Sequence, residues 1–165
     1  VQAMQDIFEW RCCAHGPHEV FRQIDAPTHT QAKKFMEFWN SRSPDGIRLG
    51  RDVPSRRIAC LLSSILIWEP VDDWSDLVVR HAGEAIEHRF GVGSKGKRMS
   101  GFFSPEEFPG HLQVCRGVAD TGAPVVLDSI LRSDAVELMH FEVVILPIIA
   151  ENDARWGMAC LSYFR

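Results

Sequence analysis

A chain of 165 residues with 45% hydrophobic and 24% charged side chains can bury one core unaided and is too apolar for a disordered or collagen-like segment. A net charge of −4 argues against a nucleic-acid or anionic-membrane partner. Five cysteines without a C-x-x-C pair exclude zinc ribbons and thioredoxin-type motifs, and their irregular spacing fits reduced thiols in a cytoplasmic protein.

In chain order, Val1, Met4, Phe8 and Cys12 recur at helical spacing and predict a first helix, stopped by His15, Gly16 and Pro17. Thr28 or Thr30 then caps a second helix whose apolar stripe is Phe35, Phe38 and Trp39. Residues 41–56, rich in turn formers and arginine, form a connector. Beyond it, 61–69 and 76–83 read as two strands of a hairpin turning at 70–73. No run is long and apolar enough for a membrane span, and no signal peptide precedes the first helix.

Residues 84–90 have Ile86 and Phe90 four apart, which is helical spacing. The next stretch, GVGSKGKR (91–98), fits both G-x-G-x-x-G and most of G-x-x-x-x-G-K. A phosphate cradle needs a buried strand before it and a hydroxyl at its last position. Here a helix precedes Gly91, and Arg98 stands where the hydroxyl belongs, so 91–98 is a glycine-rich mobile loop.

Ser104 and Glu107 form a capping box for a long helix over 104–122, which Pro109 divides into a short turn and a longer helix. Its inner face is Phe108, Leu112, Cys115 and Val118 or Ala119, and Gly122 ends it. Three strands follow at 123–131, 138–150 and 155–164, the last two joined by a tight turn at 151–153. This order predicts an α+β fold with a five-stranded antiparallel sheet, helices on one face, and N-terminal helices before it. Residues 1–56 read as a helical preface and connector, and 57–165 as the main domain.

The order resembles the PAS fold, in which two strands lead through short helices and one longer helix to a three-strand meander. The chain is similar to a bacterial PAS-like family with a helical preface. The resemblance rests on FMEFWNSR (35–42) with Trp39, then GRDVPSR (50–56) with Gly50, Arg51, Pro54, Ser55 and Arg56. It continues in VVRHAG (78–83) with Arg80 and Gly83, in Phe90 and Gly91, in GKRMSGFFSPE (96–106) with Met99, Ser100 and Gly101, and in Leu146 and Pro147. It departs where the family usually reads Gly-Thr and this chain has Gly83 and Glu84.

The resemblance implies a non-catalytic sensory or signal-transduction module that binds a small-molecule ligand or a signalling protein. Its pocket would lie between sheet and helices, with residues 91–98 as the hinge of a lid that seats Met99, Phe102 and Phe103. Val79, His81, Phe90, Phe108, His111, Leu112, Cys115, Val126 and His140 complete the candidate lining. One alternative is a haem sensor, because His111 sits near the start of the long helix, where haem-binding PAS sensors carry their axial histidine. The Asn-Cys-Arg-Phe-Leu sequence of LOV flavin sensors is absent. Catalytic signatures such as G-x-S-x-G and H-E-x-x-H are absent too, so an enzyme of unrecognised class is the remaining alternative. PAS-like domains often pair through such a preface, so the stripe from Val1 to Cys12 implies a homodimer.

Overall fold

A computed structural model describes residues 18–133 and 136–165. The helix expected across Val1 to Cys12, and with it the dimer surface, lies outside the described residues. Six strands, β1 (His18–Ile24), β2 (Ile65–Val71), β3 (Asp76–Ala82), β4 (Val125–Ser133), β5 (Val136–Ile149) and β6 (Arg155–Tyr163), form one sheet in the order β1-β4-β5-β6-β2-β3. All paired neighbours are antiparallel. The closing meander lies where the sequence places it. The hairpin exists, but its first strand runs over Ile65–Val71 rather than 61–69 and it turns at 72–75, because Arg56–Ser64 forms a 3₁₀ segment.

The expected count of five strands is corrected to six. The addition is β1, which pairs along β4 from His18 opposite Arg132 to Ile24 opposite Val126. HEVFRQI lacks the apolar alternation of a strand because one of its inward positions is Glu19. Pairing with an existing sheet, rather than its own pattern, makes it a strand.

The helices are α1 (Thr30–Asn40), α2 (Glu84–Phe90) and α3 (Phe108–Thr121), with 3₁₀ segments at Arg56–Ser64 and Met99–Phe102. The expectation of helices on one face only is also corrected. On β5, Val144, Leu146 and Ile148 pack with Phe35, Trp39, Ile58 and Leu61, from α1 and Arg56–Ser64. The intervening Phe141, Val143 and Ile145 pack with Ile86, Phe90, Met99, Phe108 and Val118, from α2, Met99–Phe102 and α3. Side chains alternate across a strand, so the nearly unbroken apolar run of β5 supplies two cores and needs both faces covered.

The Glu142 carboxylate, 1% exposed, fixes α1 on its face. It accepts hydrogen bonds from the Thr28 amide (2.8 and 2.9 Å), the Thr28 hydroxyl (2.8 Å) and the His29 amide (2.6 Å). His29, not a threonine, is the N-cap, and its Nδ1 accepts from the Gln31 amide at 3.0 Å. The GRDVPSR segment serves the same face. Arg51 bridges Asp45 and Asp52, and the Ile149 amide donates to the Ile47 carbonyl at 2.9 Å, holding the connector against the end of β5.

Two close approaches explain two glycines. A Cβ on Gly83 would lie 2.2 Å from the Leu62 carbonyl oxygen, where β3 turns into α2. A Cβ on Gly157 would lie 1.8 Å from the Trp68 ring, which covers β6 at that point.

Candidate functional site

The face under α2 and α3 contains a cavity of about 60 Å³. By the measure of about 10–15 Å³ for one water, that is space for a handful of water-sized groups. The sheet forms its floor with Leu66, Trp68, Leu127, Phe141, Val143, Ile145, Ala159 and Leu161. The roof is Arg89 and Phe90 from α2, Met99 and Phe103 from the segment after the glycine loop, and His111, Val114 and Cys115 from α3. Glu19 reaches in from β1, and Ser129 from β4.

Local sequence sets this roof. Seven residues of α2 bring Ile86, Arg89 and Phe90 inward on one helical face. The chain then turns through Gly91, Gly93 and Gly96, all at positive φ, which glycine adopts without a Cβ clash. The end of this loop is hydrogen-bonded to β3. The Gly96 amide donates to the Val79 carbonyl at 2.7 Å, and the Val79 amide to the Lys97 carbonyl at 3.0 Å. Ser100 donates to the buried Asp76 carboxylate at 2.6 Å, tying the lid to the start of β3. Further on, the Glu107 amide donates to Ser104 Oγ at 3.2 Å, and α3 begins at Phe108 with Pro109 in its first turn.

Aromatic rings close the roof. Phe103 contacts Phe90 at 6.0 Å, Phe108 at 6.2 Å and the His111 ring at 4.3 Å, and Phe21 of β1 covers the other side of His111 at 4.9 Å. These tilted pairs pack the roof over the cavity's polar groups.

Those groups are charged. The Arg89 side chain is 6% exposed and that of Glu19 3%, with Arg89 Nη2 3.5 Å from Glu19 Oε1. His111 Nε2 lies 2.9 Å from Glu19 Oε2 and makes no hydrogen bond among the described residues. Arg89 also donates to the Tyr163 hydroxyl at 3.3 Å, and its guanidinium sits 4.2 Å from the centre of the Phe141 ring. A buried cation survives when paired and faced by a π-system. Ser129 Oγ, fully buried, has no hydrogen-bond partner among the described residues. Burial pushes the Cys115 thiol up to about 12, so it is an uncharged, unreactive wall at neutral pH.

Of the twelve residues expected around a pocket, Phe90, Met99, Phe103, His111 and Cys115 line this cavity. Val79, Phe102, Phe108 and Leu112 pack in the same core just outside it. Three expectations are corrected. Val126 faces the α1 core and its neighbour Leu127 faces the cavity, a one-residue error of strand phase. His140 lies on the α1 face, where it meets Asp128 at 2.6 Å and stacks on Phe164 at 4.5 Å. His81 is exposed because β3 bulges beside it, pairing His81 with Ile67 and Val79 with Trp68. At the family departure, Glu84 points to solvent in the first turn of α2.

Sequence reasoning missed Glu19, Arg89 and Ser129. Arg89 stands three residues after Ile86 and beside Phe90, so the inward face of α2 already contained it. Glu19 had no comparable signal, because it belongs to a strand that only tertiary pairing creates.

Among the described residues no cluster of histidine, cysteine or carboxylate side chains is placed to hold a metal ion. No described helix is long and apolar enough to cross a membrane. A protein-family model described as PAS domain matches residues 27–160, from the turn before α1 into β6. No curated protein and no solved structure gives a significant match. The match spans most of the chain, including both helical layers and five of the six strands, and the chain therefore belongs to the PAS domain family.

Proposed function

We propose that this PAS domain is a non-catalytic sensory module whose signal is a small molecule held between the sheet and the α2–α3 layer. The observation that supports this most is the cavity itself: apolar walls enclosing a few convergent polar groups, the usual composition of a small-molecule site. A ligand there touches α2, the lid and α3 together, so occupancy biases their packing on the sheet. Haem has less support, since His111 is flanked by Phe21 and Phe103 with its Nε2 beside Glu19, and about 60 Å³ is far below the space a porphyrin needs.

The test is native mass spectrometry of the purified chain, with Val143→Phe as a filled-cavity control. A co-purifying small molecule lost in that variant is the expected result. A bound molecule retained by Val143→Phe would place the ligand elsewhere.

A second reading, docking of a signalling protein, draws on Val20, Val136 and Leu138, at 53%, 60% and 40% exposure. The strand register puts them at one end of the sheet, on β1 and the start of β5. Charge substitution at Leu138 should abolish such docking and leave ligand binding intact.

A further inference from the structure

The ionic cluster gives the cavity a chemical preference that apolar walls alone would not. Three ionisable side chains meet there from three elements: Glu19 of β1, Arg89 of α2 and His111 of α3. Arg89 and His111 belong to the roof. The carboxylate that faces them belongs to the edge strand, which among the described residues borders only β4 in the sheet. The Glu19 amide donates to Glu107 Oε1 at 2.9 Å, so β1 is fastened to the start of α3 as well. Beside the cluster, Ser129 offers a buried hydroxyl with no partner among the described residues, on the cavity wall. An unmatched buried hydroxyl is destabilising, and a polar ligand atom removes that cost.

We infer, building on the ligand-binding reading above, that the cavity takes a short monocarboxylate with an apolar chain, whose carboxylate displaces that of Glu19 from Arg89 and His111 and so releases β1 from the sheet edge. An isolated cation is not tolerated in such a site, so whatever replaces Glu19 must be an anion. The planar guanidinium favours a carboxylate, which it can meet with two parallel N–H bonds. Ser129 supplies a further donor, and Leu127, Phe141 and Val143 receive the chain. Withdrawal of the Glu19 side chain enlarges the cavity as the ligand enters. The same exchange converts occupancy into an output, because β1 leads directly to the N-terminal residues.

Hexanoate and hexanol are the probes, because they share an alkyl chain and differ in charge. In calorimetry on the whole chain, hexanoate should bind at least tenfold more tightly than hexanol, and Arg89→Met should erase the difference. Glu19→Gln, which removes the competing anion, should strengthen hexanoate binding about tenfold. Amide exchange on the unmodified chain gives a readout that does not depend on the variants folding. Hexanoate should speed exchange across residues 18–24, and hexanol should not.

Equal binding of acid and alcohol, or weaker hexanoate binding in Glu19→Gln, overturns this inference and leaves the sensory reading standing. Hexanoate binding with β1 still protected overturns the displacement. Failure of both probes to bind overturns the inference alone, because the ligand-binding reading is decided by the native mass spectrometry above.

Discussion

The two faces of one sheet handle buried polar groups in opposite ways. Under α1, Glu142 is buried and fully engaged, with Thr28 and His29 donating to it from the start of the helix. Under α2 and α3, the charges of Glu19 and Arg89 are paired across elements, while His111 Nε2 and Ser129 Oγ make no hydrogen bond among the described residues. A satisfied polar group fixes one arrangement. A partly satisfied group beside a cavity leaves room for a second arrangement, and a sensor needs two. On the proposed ligand-binding reading, the α1 face is the scaffold and the α3 face the responsive layer.

The largest effect should come from breaking the scaffold. Glu142→Ala removes the acceptor of the half-buried His29 amide and of the exposed Thr28 amide and hydroxyl, and should cost about 1.5–3 kcal/mol. Denaturant unfolding measures this. A loss below about 1 kcal/mol would mean that water replaces the carboxylate and that the face is less closed than its burial indicates.

Adjacent valines sharpen the contrast. Val144 is fully buried in the α1 core, whereas Val143 lines the cavity. Val144→Phe should overpack its site and lower stability by about 1–3 kcal/mol, while Val143→Phe finds space and should cost less than about 1 kcal/mol. Equal costs would show that the cavity cannot absorb added volume.

Ser129→Ala is the smaller probe. Removing a buried hydroxyl that has no partner should leave stability unchanged or raise it by up to about 1 kcal/mol. A marked loss would reveal a water or other partner already bound there.

Titration of the two buried thiols has no effect at neutral pH and acts only on the alkaline side. Burial pushes Cys115 up to about 12 and Cys160 up to about 11, against 9.0 for an exposed thiol. The unfolded chain therefore loses these protons first. Their contribution is complete below pH 9 and is lost as the pH rises toward 11–12. Cys115→Ala should flatten part of that alkaline decline in urea titrations. At neutral pH, thiol reagents should modify the exposed Cys60 and spare Cys115 and Cys160.

Local patterns made much of this molecule legible. Helical spacing over 84–90 matches α2 to the residue, and Pro109 after Ser104 marks where α3 begins. The strands at 76–83, 123–131, 138–150 and 155–164 agree with β3, β4, β5 and β6 to within two residues. The aromatic and apolar roof (Phe90, Met99, Phe103 and Cys115) was within reach because each member lies on a helix face or in a motif.

What the sequence could not supply has one physical cause: pairing between segments far apart in the chain. Strand phase separates Val126 from Leu127 by a single residue, and only the register with β5 fixes which faces the cavity. The β3 bulge that turns His81 outward depends on its pairing with β2. HEVFRQI becomes a strand because β4 offers an open edge, 106 residues later for Arg22 and Asp128. The sequence determined most of the elements, the inner faces of the helices and the family. The tertiary structure decided that both faces are covered, and that Glu19, Arg89 and His111 meet, because buried charges select their partners in space and not along the chain.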